Sequence, residues 1–180
     1  MKRFVALFVI PLIFSAGLFA DGLVMNRISP EFFGFDCRYE DYNVPCFTAE
    51  KEFGNFFPLI MFGLPQVGPV KFRLGGGASL LYWAQVGGAA SVSYILPTSG
   101  WPTFEFMLLG TVDAMYVLIM EGYFELSASL SAPLMVMPPP EKWGFFFGAG
   151  PEVRYVQGLD WKKFHKVRFG VTLMGGIKFF

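Results

Sequence analysis

Phe124, Leu126, Ala128, Leu130, Ala132 and Leu134 alternate with Tyr123, Glu125, Ser127, Ser129 and Ser131. A repeat of two marks a β-strand with one apolar and one polar face. On a helix the same serines and leucines would scatter around every side. The pattern recurs along the chain. Trp143, Phe145, Phe147, Ala149, Val153 and Tyr155 oppose Gly144, Gly148, Gly150, Glu152 and Arg154, with Phe146 as an apolar intruder on the polar side. Val167, Phe169, Val171, Leu173, Ile177 and Phe179 oppose Lys166, Arg168, Thr172 and Lys178, and Phe104, Phe106, Leu108, Val112 and Ala114 oppose Thr103, Glu105, Thr111 and Asp113.

Residues 74–104 carry no charge, and hydropathy alone would read them as a transmembrane helix. Alternation reads them otherwise. Val70, Phe72, Leu74, Leu80 and Tyr82 face away from Lys71, Arg73, Gly75, Gly77 and Ser79, and Val86, Val92, Tyr94 and Leu96 face away from Gln85, Gly87, Ser91 and Ser93. The polar face is built there from Gly, Ser and Gln. Strands are expected at 28–39, 47–63, 70–82, 84–96, 103–115, 121–133, 143–156 and 166–179, of which 47–63 alternates worst. Pro/Gly-rich segments 63–69, 97–102 and 138–140 separate several of them. The segment 115–120 lacks turn residues.

Strands of about 12–14 residues exceed the usual ~5–6 of globular sheets and are long enough to cross a bilayer with tilt. Charges fall in mid-strand on the face opposite the greasy one, whereas a soluble barrel would keep its interior apolar. Phe104, Phe124, Trp143, Tyr155 and Phe179 sit near strand ends on the apolar face, as interfacial girdles require. An open sheet edge in lipid would leave backbone N–H and C=O groups unsatisfied, so the sheet must close. The expected fold is therefore all-β, a transmembrane antiparallel up-and-down barrel of eight strands.

Composition agrees: 54% of the 180 residues are hydrophobic and 16% charged, with no net charge. Disorder needs the opposite balance. No Lys/Arg cluster exceeds Lys162-Lys163, which argues against a nucleic-acid binder. Lys2 and Arg3, an apolar run to Phe14 and the small residues Ser15, Ala16 and Gly17 have the layout of an export signal. Residues 1–20 are expected to be a signal peptide and 21–180 the barrel domain. Cys37 and Cys46 lie nine apart in an exported chain, which suits a disulfide; two free thiols are the alternative.

From its export signal to its C-terminal aromatic residues, the chain resembles a small bacterial outer-membrane β-barrel of the OmpA/OmpX/OmpW kind. The segment Gly170-Val171-Thr172-Leu173-Met174-Gly175-Gly176-Ile177-Lys178-Phe179-Phe180 resembles the terminal strand recognised by outer-membrane assembly machinery. The resemblance implies an outer-membrane address in a Gram-negative-type envelope, with membrane lipid and that machinery as partners.

The candidate site is a lumen charge network of Lys71, Arg73, Glu105, Asp113, Glu121, Glu125, Glu152, Arg154, Lys166 and Arg168. In an eight-stranded barrel these side chains fill the bore and pair, because an unpaired buried charge costs several kcal/mol. The rival is a porin-like narrow passage for small solutes or hydrophobic compounds, with room left by Gly75, Gly77, Gly87, Ser91 and Ser93. Trp161, Lys162, Lys163, Phe164 and His165 form an expected interfacial loop for anionic headgroups or an extracellular partner. No catalytic residue is assigned: His165 is the sole base candidate and has no Ser at matching spacing. No metal site or cofactor is expected, since no His/Cys ligand cluster is present.

Overall fold

The computed structural model describes residues 21–38, 46–48, 56–80, 83–98, 100–117, 123–139, 141–159 and 164–179. Its elements are all strands: β1 (Gly22–Ile28), β2 (Glu31–Arg38), β3 (Cys46–Thr48), β4 (Phe56–Gly63), β5 (Val70–Ser79), β6 (Trp83–Ile95), β7 (Thr103–Val117), β8 (Tyr123–Ser131), β9 (Leu134–Met137), β10 (Gly144–Gly158) and β11 (Phe164–Phe179). Each pairs antiparallel with its neighbours, and β11 returns to β1 and β2. β1 and β2 make one crossing broken at Ser29-Pro30, β3 and β4 make the next, and β8 and β9 share another. The result is a closed, up-and-down barrel of eight crossings. Gly22 pairs with Phe179 and with Phe62, so the start of β1 and the end of β11 lie at one mouth, called here that of the chain ends. The C-terminal ends of β4, β6 and β9 and the starts of β5, β7 and β10 lie at that mouth too, and β2, β5, β7 and β10 end, and β3, β6, β8 and β11 start, at the far one.

The sixth crossing runs on through β9 to Met137, and three further boundaries differ from the sequence expectation in ways the residues explain. The first crossing begins at Gly22 instead of residue 28, and the expected 47–63 strand comprises β3 and β4, with 49–55 outside the described residues. The reason is common to both. β1 buries Leu23 and Met25 while Val24 faces out, and β4 buries Phe57, Leu59 and Met61 while Ile60 faces out. Apolar residues on both faces erase the alternation that a sequence pattern needs. The third difference is that β7 runs on to Val117. Met115, Tyr116 and Val117 pair with Glu125, Phe124 and Tyr123, which explains their lack of turn residues.

The polarity of the wall is inverted relative to a soluble domain. Val112, Phe147 and Leu130 are 62%, 64% and 49% exposed on the outside, whereas Arg27, Arg73 and Arg168 are at most 1% exposed inside. Exposed aromatic residues gather toward both mouths: Phe72, Tyr94, Phe106 and Phe145 near the chain ends, and Phe33, Phe35, Phe124 and Tyr155 near the far end.

Candidate functional site

Alternation along each strand delivers every second side chain to the lumen, and their order stacks the lumen in layers. From Asp21 into β1 the inward residues run Asp21, Leu23, Met25, Arg27; along β7 they run Glu105, Met107, Leu109, Thr111. Both read charged, apolar, apolar, polar. A lower ionic layer near the chain ends is thus separated from an upper one by an apolar belt. Leu23, Met25, Phe57, Leu59, Met61, Met107, Leu109, Met135, Met137, Phe146 and Met174 form that belt as one packed cluster, with Ala89 against it.

In the lower layer Asp21 receives Lys71 at 3.1 Å and Arg73 at 3.0 Å. Glu105 receives the same two cations, Arg73 at 3.0 Å and Lys71 at 3.6 Å. Two carboxylates and two cations therefore alternate, joining β5 to the start of β1 and to β7. Arg73 also donates to Ser93 Oγ at 2.9 Å. Lys178 donates to the Pro139 carbonyl at 3.0 Å beside this layer.

The upper layer is held by arginines. Arg27 Nη1 donates to Thr111 Oγ1 at 2.7 Å and Ser129 Oγ at 2.9 Å, while Nη2 donates to Glu152 at 3.1 Å. β1 and β7 are four crossings apart in a ring of eight, so this side chain spans the bore from wall to wall. Ser29 donates to the second Glu152 oxygen at 2.7 Å. Glu31 accepts from Arg154 at 3.1 Å and faces Arg168 at 3.8 Å. Asp113 accepts from Gln85 at 2.7 Å and Ser127 at 2.8 Å. Burial without such partners would cost each charge several kcal/mol, which these multiple donors offset.

The expected lumen residues are thus brought into two groups. Lys71, Arg73 and Glu105 lie in the lower layer; Asp113, Glu125, Glu152, Arg154 and Arg168 lie in the upper part. Lys166 is only half-buried, opposite Asp36 and Val156 near the far mouth. Glu121 lies outside the described residues. Sequence reasoning missed Asp21 and Arg27 because it started the first strand too late, and Ser29 and Glu31 because parity breaks beside them, where Phe32 and Phe33 both face out. The belt was missed too, although Phe146 and Leu109 on polar-side positions were its signal.

The room expected beside Gly75 and Gly77 is not there. A Cβ at Gly75 would strike the Ile60 carbonyl, and one at Gly77 the Pro58 carbonyl. Neighbouring backbone, drawn close by the curvature of so narrow a barrel, occupies the space. The expected loop 161–165 is shortened as well. Phe164 and His165 belong to β11, and His165 Nδ1 hydrogen-bonds Tyr155 Oη on the outer wall. Trp161, Lys162 and Lys163 lie outside the described residues. β2 and β3 carry Cys37 and Cys46, with Cys46 opposite Asp36; no disulfide is present among the described residues. Nor, among those residues, is any group of His, Cys, Asp and Glu arranged to hold a metal ion. At the mouth near the chain ends, Ile95, Pro97, Trp101, Thr103 and Pro139 line an open cleft of about 520 Å³.

No family model and no curated protein matches the chain. Among solved structures it is similar to Neisserial surface protein A (NspA), at 10% identity over 86% of this chain and 96% of that one, with a TM-score of 0.44. It is also similar to Ail, the attachment invasion locus protein of Yersinia pestis, at 10% identity over 88% and 98%, with a TM-score of 0.35. Scores this low decide nothing about function, and the barrel rests on its own strand pairing.

Proposed function

We propose that the chain is a non-enzymatic integral outer-membrane β-barrel whose lumen is plugged, with a structural or surface-interaction role. One observation carries this reading: the wall is apolar outside and ionic inside. Water would oppose both halves of that arrangement, whereas a bilayer rewards the first and a paired bore accommodates the second. Closure meets the remaining demand, that no backbone group be left unpaired in hydrocarbon. The packed apolar belt between the ionic layers favours a plug over a passage. Residues 1–20 act as the export signal, and the aromatic-ended β11 engages the assembly machinery. Orientation with the mouth of Gly22 and Phe179 inward puts the mouth where β2 and β10 end and β3 and β11 start outside, as a surface role requires. A disulfide between Cys37 and Cys46 belongs to the same reading, and thiol labelling before and after reduction tests it.

The experiment is refolding of residues 21–180 into phosphatidylcholine vesicles. Expected is β-type circular dichroism, flotation with the vesicles, and a gel band that shifts only on boiling in dodecyl sulfate. A chain that folds in buffer without lipid or detergent overturns the proposal.

A further inference from the structure

The methionines are not spread evenly over the apolar positions. Met25, Met61, Met107, Met135, Met137 and Met174 are all 4% exposed or less and face the lumen. The exposed large apolar residues of the outer wall are Val, Leu, Ile, Phe, Tyr and Trp, with no Met among the described ones. Both faces need apolar bulk, so hydrophobicity does not explain the partition. Flexible Met side chains do fill irregular gaps, but the register also sets several of them around one glycine.

Gly148 stands opposite Met135 on β9 and Met174 on β11. Its missing side chain leaves a hollow between them, and a Cβ there would strike Met135 Sδ, so the thioether occupies that hollow. Met135 pairs with Glu105, which makes Met107 its diagonal neighbour on the same face. Met174 pairs with Arg27, which makes Met25 its diagonal neighbour. Long side chains reach one another across such diagonals. Met137 continues the line toward the mouth, opposite Thr103, which lines the open cleft.

We infer that this arc binds a soft monovalent cation, Cu(I) or Ag(I), between the thioethers of Met135 and Met174, with Met107 and Met25 beside them. Thioether sulfur selects soft ions, and the belt cluster itself holds no carboxylate or imidazole, Glu105 standing at its edge opposite Met135. The ion enters from the cleft past Met137 by ligand exchange, with no change in oxidation state. The Glu105 carboxylate, across from Met135, lies on its route. This goes beyond the envelope reading and requires only the barrel.

The test uses the folded barrel in detergent micelles, with Cys37 and Cys46 alkylated. It is equilibrated with silver nitrate in chloride-free buffer, desalted, and assayed for silver. The native chain is expected to retain silver in proportion to protein. Met135→Leu with Met174→Leu is expected to lose it while keeping the heat-shifted band of a folded barrel. Gly148→Ala, which pushes Met135 out of the hollow, is expected to weaken retention. Should the leucine pair not fold, replacement of all methionines by norleucine keeps the shape and removes the sulfur, with the same loss expected. A native chain that retains no silver, or sulfur-free variants that retain as much, overturns the inference.

Discussion

Arg27 and Glu152 lie 125 residues apart in the chain and meet at 3.1 Å inside the barrel, their side chains 0% and 3% exposed. Arg27→Met leaves the Glu152 carboxylate facing Ser29 without its cation. A buried pair broken on one side costs about 3–5 kcal/mol. Urea unfolding in vesicles is expected to register a loss of that order. The double variant Arg27→Met with Glu152→Gln should recover most of it, because no unpaired charge remains. A single variant as stable as the native chain would mean that water reaches this layer.

Leu130 lies midway along its crossing on the outer wall, 49% exposed. On a water-facing surface Leu130→Arg would shift stability by no more than about 0.5 kcal/mol. At the bilayer midplane it costs about 2–4 kcal/mol. The same vesicle unfolding assay separates the two, and the larger value is expected.

Gly77 and Gly88 are both strand glycines, yet they face different surroundings. A Cβ at Gly77 would strike the Pro58 carbonyl, whereas at Gly88 the nearest atom is the Gly75 carbonyl oxygen at 3.9 Å. Gly77→Ala is expected to abolish or sharply reduce the yield of folded barrel in a gel-shift assay. Gly88→Ala should fold as well as the native chain, within about 0.5 kcal/mol. Equal yields for both would show that the wall is less tightly drawn than its backbone contacts require.

Glu105 and Met107 are successive inward residues of β7, one in the lower ionic layer and one in the belt. Glu105→Gln removes a charge that binds Arg73 and Lys71 but leaves the belt closed. Planar-bilayer recording is therefore expected to show no conductance steps for either the native chain or this variant. Steps in the native trace would favour the passage reading, and steps confined to the variant would turn the plug into a gate.

Period-two alternation was legible wherever one face of a strand met lipid and the other met charge, as in 103–115, 121–133, 143–156 and 166–179. Local sequence determined those strands because side-chain direction follows directly from the extended backbone. The inward placement of Lys71, Arg73, Glu105, Glu152 and Arg168 followed from the same parity. Tertiary structure decided the rest. β1 and β4 have apolar residues on both faces, since their inner face completes the belt, so their pattern carries no sign of which side is which. The break at Ser29-Pro30 likewise hid Arg27 and Glu31 from a parity count. Partners were also beyond the sequence: Arg27 reaches Thr111 and Ser129 on the opposite wall only because eight crossings close into a bore one side chain wide. Glycine was the most ambiguous letter. Whether Gly77 leaves a space or lets a neighbouring strand fill it depends on curvature, which belongs to the closed sheet and to no single strand.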